Sequence, residues 1–369
     1  MTNPSLDFDL AVIGAGMAGL TCAQERQQAG DRVVILEKSR GVGGRIATRR
    51  LHGTLADHGT CYLTPKGEAF QALLKRLVTA GVVQSWTDTV HELSAAGTPS
   101  ASPMADRYPR YVAPAGMTAI AKWLATSLDI RLSHLVQALA VVDDHWQLTI
   151  QKTNPDATKT TETLTAGAIV MAIPAPQAAV LLQSLPSEVL PEAFLQQVRS
   201  VTFTPCLSVM AGYAPERQQD WFSQYPEVRS LTFTKDANLS WLGLDSSKRS
   251  RAPQTALPQT TSPQTVFVVQ STATFAEQYL DASDLQATGY QLLKRSAEKL
   301  APWLAKPDWL QVHRWRYAFA KTPLSAPYLA AATPVPLACA GDWCGGMKVE
   351  QAFLSGLAVA EHLSHLRQK

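Results

Sequence analysis

Cysteine is scarce and poorly placed for its usual structural uses. The 369-residue chain has five, Cys22, Cys61, Cys206, Cys339 and Cys344, an odd number with no Cys-x-x-Cys pair. That pattern offers neither a disulfide framework nor a zinc site, so a reducing compartment is expected. Long apolar runs are also missing: Leu10 to Ile13 is strand-length, and nothing later approaches about 18 uninterrupted apolar residues. Met1 to Asp9 hold two acidic residues and no basic one, so the positive start of a secretory leader is absent. A cytoplasmic protein with no membrane association is the expectation. Charge is thin and balanced, with 33 Lys+Arg against 30 Asp+Glu, and no sustained basic run argues for a nucleic-acid partner. Arg49-Arg50 and Lys38-Ser39-Arg40 are short enough to be solvated or phosphate-facing. The eight histidines form no His-Glu-x-x-His, so no metal site is expected. His362 and His365 fall near the chain end, where a cation would suit a helix C-terminus. No internal repeat is visible.

What is present is a large apolar fraction, 46% of residues, in a chain long enough for two domains at roughly 150 residues each. Phe8 to Ile13 reads as a strand buried on both faces, Met17 to Ala29 as a helix stopped by Gly30, and Arg32 to Leu36 as a second strand. Phe70 to Val78 and Ala115 to Leu128 have helical apolar spacing, Trp146 to Gln151 alternates as a strand, and Thr163 to Ile173 reads as another. Residues 246–265, rich in Ser, Thr, Pro and Gln, read as a surface loop. Near the C-terminus, Pro336 to Ala340 is a short strand ahead of Gly341-Asp342-Trp343-Cys344-Gly345-Gly346. Val349, Ala352, Phe353, Gly356, Leu357, Ala360 and Leu363 then fall on one helical stripe.

Gly14-Ala15-Gly16-Met17-Ala18-Gly19 matches G-x-G-x-x-G between a strand and a helix, and Glu37 follows 18 positions after Gly19. Gly14 makes the tight turn, Gly16 admits a diphosphate, and Gly19 lets the helix lie on the sheet. The free N–H groups at the helix start attract the diphosphate, and Glu37 is suited to ribose hydroxyls. A second glycine turn, Gly43-Gly44-Arg45, has no use in an NAD site but would flank the longer dinucleotide FAD. The terminal Gly341-Asp342 turn approaches the same cofactor from the other side, with the helix from Val349 aimed at the flavin. FAD, bound non-covalently, is therefore the expected cofactor. Cys344 beside the terminal turn reads as a packed thiol rather than a flavin attachment point, and Asp57 as a turn-stabilising residue.

These stretches resemble the flavin amine-oxidase superfamily, and most closely its renalase-like branch. The resemblance rests on the glycine turns, Glu37, Asp57-His58-Gly59-Thr60-Cys61-Tyr62 and Ala340-Gly341-Asp342-Trp343. It extends to Ala47-Thr48-Arg49, Tyr108 to Val112, Gly116-Met117, Ala172 to Ala178, His313 to Ala318 and Glu350 to Gly356. It implies an α/β fold: a discontinuous Rossmann-type FAD-binding domain from 1–66, 108–178 and 332–369, and an α+β substrate domain with a mostly antiparallel sheet from 67–107 and 179–331. It further implies oxidation of 2- or 6-dihydro-NAD(P) by hydride transfer to flavin, with oxygen reduced to hydrogen peroxide. The substrate partner would be a reduced nicotinamide dinucleotide, and the protein a monomer or homodimer.

The cofactor site is expected at Gly14, Gly16, Met17, Ala18, Gly19, Glu37, Lys38, Gly43, Gly44, Arg45, Val136, Ala172, Pro174, Gly341, Asp342, Val349, Glu350 and Ala352. Tyr62 and Trp315, with Trp241 and Trp343, are candidate walls for a flat ring, and Arg316 a candidate holder of a substrate phosphate or carboxylate. Hydride transfer needs alignment more than acid–base help, which suits the lack of any nucleophilic triad. Thr60-Cys61-Tyr62 and Arg249-Ser250-Arg251 depart from the branch's pattern. An amine or amino-acid oxidase or desaturase, or a flavin-binding redox sensor or partner-binding protein with little turnover, are the alternatives.

Overall fold

The apolar run before the first glycine turn becomes strand β1 (Leu10–Ile13), every residue of which is buried. A computed structural model describes residues 6–93, 97–249, 264–331 and 335–367. Helix α1 (Met17–Gln28) follows, and strand β2 (Val33–Glu37) returns parallel to β1. The helix ends at Gln28, and Gly30 turns the chain with φ of +94°, a conformation that costs glycine little.

The sheet that forms has six strands in the order Leu329–Ala331, Leu337–Cys339, Ile169–Met171, β1, β2, Asp129–Leu132. All neighbours are parallel except the outermost, Leu329–Ala331. That edge strand lies on the far side of the expected domain boundary at 331/332. The helices Ala175–Leu182 and Glu192–Ser200 likewise contribute Ala179, Leu182, Phe194 and Val198 to the apolar layer under this sheet.

Both chain ends meet on the opposite layer, where α1 packs along the terminal helix Val349–Arg367. A Cβ on Gly356 would stand 2.5 Å from the Ala18 carbonyl oxygen, so only glycine permits so close a crossing. Arg26, buried in the last turn of α1, pairs with Asp31 at 2.7 Å and donates to Ser364 and the Ala360 carbonyl of the terminal helix.

The second sheet has seven strands: Trp309–Ala320, Phe203–Tyr213, Thr265–Ser271, Leu239–Leu244, Ser230–Phe233, His91–Leu93 and Pro99–Ala101, in that order. It is antiparallel apart from the Ser230–Phe233/His91–Leu93 pair. Alternation decides its two faces. Phe267 and Val269 pack with Trp221 and Leu292 on the helical side, whereas Val266, Val268, Met210 and Trp241 join the core of the dinucleotide half.

Three sequence expectations change. The single strand over Thr163 to Ile173 is two: Lys159–Ala166 belongs to a separate three-stranded antiparallel sheet, and after Gly167 the strand Ile169–Met171 enters the parallel sheet. Helix over Ala115 to Leu128 is confined to Thr118–Leu124, because Gly116 (φ +92°) and Ser127 (φ +69°) turn the chain on either side. The 246–265 surface loop begins instead as a short 3₁₀ helix, Asp245–Arg249, with Ser247, Lys248 and Arg249 buried. Thr265 already opens a strand, and residues 250–263 lie outside the described residues. His362 lies near the end of the terminal helix and contacts the Tyr328 hydroxyl at 3.3 Å; burial and the neighbouring His365 hold its imidazole below the ordinary range. Among the described residues no helix is long and apolar enough to cross a membrane.

Candidate active site

The glycines after β1 divide by what a side chain would meet. A Cβ on Gly14 (φ +108°) would lie 2.6 Å from the Ala172 carbonyl, and one on Gly19 2.1 Å from the Gly14 carbonyl. Those two permit backbone to pack on backbone. Gly16 is different: its φ of −83° suits any residue, and a Cβ there has no protein atom within 4 Å. The open space lies at the N-terminus of α1, whose first turn has no acidic residue and no capping side chain. Unpaired N–H groups facing space reserved by a glycine fit a bound diphosphate.

Neighbouring groups hold that turn rigid. The Glu37 carboxylate accepts from Ala15 N at 2.9 Å and from Ser39 N at 2.8 Å. Gly43 N donates to the Ala15 carbonyl at 2.8 Å, which stitches the second glycine turn to the first. Arg45 then reaches both carboxylate oxygens of Asp342 and the Ala318 carbonyl, joining the N-terminal turns to the C-terminal one and to the second sheet. Asp342 is thus committed to Arg45, and Glu350 caps the helix Glu68–Thr79 by accepting from Lys66 N (3.0 Å) and Gly67 N (2.6 Å).

A cleft of about 1880 Å³ runs from these turns to the seven-stranded sheet. Apart from Gly19, which packs helix on strand, every residue expected at the cofactor borders it, including Met17, Ala18, Lys38, Gly44, Val136, Ala172, Pro174, Val349 and Ala352. The donor-rich, glycine-lined end therefore fits FAD. Cys344 is buried outside the cleft lining, its thiol raised to about 12 by burial.

At the sheet end the cleft is walled by Tyr62, Trp241, Gln270, Cys61, Cys206, His58, His313 and Trp315. Strand alternation puts His313 and Trp315 on one face of Trp309–Ala320. Trp315 donates to the His58 carbonyl at 2.8 Å, and its ring stacks on the His58 imidazole with centroids 5.4 Å apart. His313 meets both rings edge-on, at 4.7 and 4.2 Å, and Arg49 lies 3.2 Å from its Nδ1. Arg316 also borders the cleft, with its guanidinium in a solvent-exposed pair with Asp281. Trp343 also lines the cleft, but it is wholly buried and donates to the Ile173 carbonyl at 3.0 Å.

Burial, then His313 and Arg49, push the His58 imidazole down to about 3; burial and Arg49 take His313 down to about 4. Unfolded, both would titrate near 6.5, so below that pH the unfolded chain binds protons that the folded one refuses, and stability falls with pH until the folded values are reached. The expected result is a marked fall in melting temperature between pH 7 and pH 5. At about 1.4 kcal/mol per pH unit of depressed affinity, even half the indicated shifts amounts to on the order of 4 kcal/mol across the full window. Thermal melts of the wild type against a His58→Asn/His313→Asn double variant check this, since the variant should lose the slope; equal slopes would refute it.

Deeper still, Asp57 and Asp245 face Lys248 and Arg249, all four side chains at most 6% exposed. Lys248 Nζ is 3.1 Å from Asp57 and 2.6 Å from Asp245; Arg249 is 3.2 and 2.9 Å from the same pair. Asp57 also accepts from the Thr48 hydroxyl at 2.6 Å and Met117 N at 2.9 Å. Burial alone would raise its carboxyl, but Lys248 and Arg249 outweigh that and hold it at about 2. The network is electrically balanced and ties the Thr54–Asp57 strand to the second sheet.

Residues 104–364 match the family model for flavin containing amine oxidoreductase, and residues 12–77 that for an NAD(P)-binding Rossmann-like domain. The chain belongs to the flavin-containing amine oxidoreductases. FAD is accordingly its cofactor. Among curated relatives, it is 40% identical over 77 residues to AofH of Mycobacterium tuberculosis, named for a flavin-containing monoamine oxidase, covering 21% of this chain and 17% of that one. It is 37% identical over 76 residues to an L-amino-acid oxidase of Crotalus adamanteus, covering 21% and 15%. The matched segments thus span under a fifth of those relatives. The fold as a whole is like that of putrescine oxidase bound to putrescine (14% identity, TM-score 0.66, 97% and 99% of the two chains). It is equally like cyclohexylamine oxidase of Brevibacterium oxydans (14%, TM-score 0.66, 97% and 100%).

Proposed function

We propose that the protein is an FAD-dependent oxidase of renalase type that oxidises 2- or 6-dihydro-NAD(P). The observation that carries this reading is the composition of the substrate end of the cleft. Aromatic rings (Tyr62, Trp241, Trp315), neutral imidazoles and Arg49 and Arg314 line it, and among the described residues no unengaged carboxylate does. The carboxylates that border the cleft, Glu37, Asp342 and Glu350, each hold protein donors, and Asp57 and Asp245 are neutralised. Such a wall suits a planar ring with anionic groups attached better than a cationic amine. The cleft is also well above the roughly 300–1,000 Å³ of an ordinary small-ligand site, which leaves room for a second dinucleotide beside FAD.

Bound FAD supplies a two-electron acceptor that oxygen restores, with two protons, to give hydrogen peroxide. The protein's share is positional. Tyr62 and Trp315 would hold the dihydronicotinamide ring flat, and the hydride departs with the C–H electron pair, leaving an aromatic cation that needs no proton removed. Burial raises the Tyr62 phenol, so it stays neutral beside that cation. Anaerobic addition of one equivalent of 2- or 6-dihydro-NAD is expected to bleach the yellow flavin band; unchanged absorbance with both isomers would refute the reading. Oxidation of amino acids is the second reading, favoured by the L-amino-acid oxidases among the relatives, because the same arginines would receive an α-carboxylate. Peroxide release from an amino-acid panel, with none from the dihydronicotinamides, would select it.

A further inference from the structure

We propose that Arg49, His58 and His313 form a subsite for an oxyanion, a phosphate or carboxylate carried by the substrate. The inference rests on the oxidase reading for what the substrate is, though not for whether an anion binds. Arg49 stands on the hairpin strand Thr48–Leu51, half-buried, at the cleft wall beside Trp315. Its guanidinium cannot accept a hydrogen bond, so the Nδ1 it reaches on His313 must carry the lone pair. The ring proton of His313 is therefore at Nε2, on a residue that borders the cleft. His58, 4% exposed and edge-on to His313, has its Nδ1 buried with no partner.

No carboxylate stands within ion-pair distance of Arg49 among the described residues. Arg45 is matched by Asp342 and Arg316 by Asp281. The nearby Asp57 and Asp245 are spoken for by Lys248 and Arg249. A half-buried guanidinium with no carboxylate in reach, beside two imidazoles that border the same cleft, is a donor set suited to an oxyanion. Both imidazoles are neutral at pH 7, so they contribute hydrogen bonds without adding repulsion to Arg49.

The test is calorimetric titration of the FAD-loaded protein with benzoate, NAD⁺ and 1-methylnicotinamide, which has the ring but no oxyanion. Arg49→Gln is expected to weaken an anionic probe roughly 10- to 100-fold, the range of a lost hydrogen bond between charged partners. It should not weaken binding of 1-methylnicotinamide, a cation with no oxyanion. Loss confined to benzoate identifies a carboxylate, loss confined to NAD⁺ a phosphate, and either outcome supports the subsite. Equal affinities in wild type and variant, or no binding of either anion to wild type, overturns it. Should Arg49→Gln fail to hold FAD, His313→Leu removes the imidazole that carries the Nε2 donor and meets Arg49, and unchanged anion binding there overturns the proposal as well. Arg49-dependent anion binding without flavin bleaching by any dihydronicotinamide would retire the renalase-type reading and leave the subsite standing.

Discussion

Gly16→Val is expected to yield a folded, colourless protein. Gly16 has ordinary extended backbone angles, and a side chain there meets no protein atom within 4 Å, so the apoprotein should melt close to the wild-type apoprotein. The same side chain fills the space before the first turn of α1, where the diphosphate must approach the backbone N–H groups. The turn cannot retreat, because Glu37 holds Ala15 N and Gly43 N holds the Ala15 carbonyl. Losing two or three hydrogen bonds to a charged ligand, at about 1.5–3 kcal/mol each, weakens FAD on the order of a thousandfold or more. Gly19→Val provides the contrast: its Cβ would strike the Gly14 carbonyl at 2.1 Å, so that variant should lose the fold along with the cofactor. Flavin absorbance per chain and apoprotein melting curves separate the two. Stoichiometric yellow Gly16→Val would mean that the diphosphate lies elsewhere.

The dinucleotide half was legible because its signals are local. A buried strand, three glycines at fixed spacing and an acid at the end of the next strand specify one turn geometry, and the terminal Gly341-Asp342 turn repeats the theme. The substrate end was legible only in its residue types. His313 and Trp315 sit two apart on a strand, which announces a shared face, but nothing in the chain between residues 58 and 313 says that His58 stacks against that face. Arg316 and Arg49 both border the cleft, but only the fold, by a contact spanning 264 positions, brings Arg49 beside His313. Residues 246–249 misled for a physical reason. Ser, Lys and Arg beside a Pro/Thr/Gln-rich stretch have the composition of a solvated loop, and burial of those charges becomes tolerable only when Asp57, 191 positions from Lys248, joins the neighbouring Asp245.

Those partners set the second large effect. Lys248→Ala is expected to destabilise the protein by about 3–5 kcal/mol, the cost of breaking a buried ion pair from one side. The deletion leaves Asp57 and Asp245, both fully buried, sharing the single positive charge of Arg249. An exposed pair gives the scale: Arg217 and Asp220 approach to 2.8 Å but are 41% and 47% exposed, so Arg217→Ala should cost under about 1 kcal/mol. A second variant separates charge from packing. Lys248→Met with Asp245→Asn removes one charge of each sign, keeps the Asp57–Arg249 pair, and should recover most of the loss; Lys248→Met alone should not. The pH dependence has its own sign. Asp57 is held near 2 against about 3.8 unfolded, so its contribution is complete above about pH 4 and is lost as pH falls through 2. The histidine slope between pH 7 and pH 5 should therefore survive Lys248→Ala while the whole stability curve moves down. Chemical denaturation at pH 7 and pH 5 reads both quantities, and a Lys248→Ala variant as stable as Arg217→Ala would show that the buried charges are not coupled as their distances require.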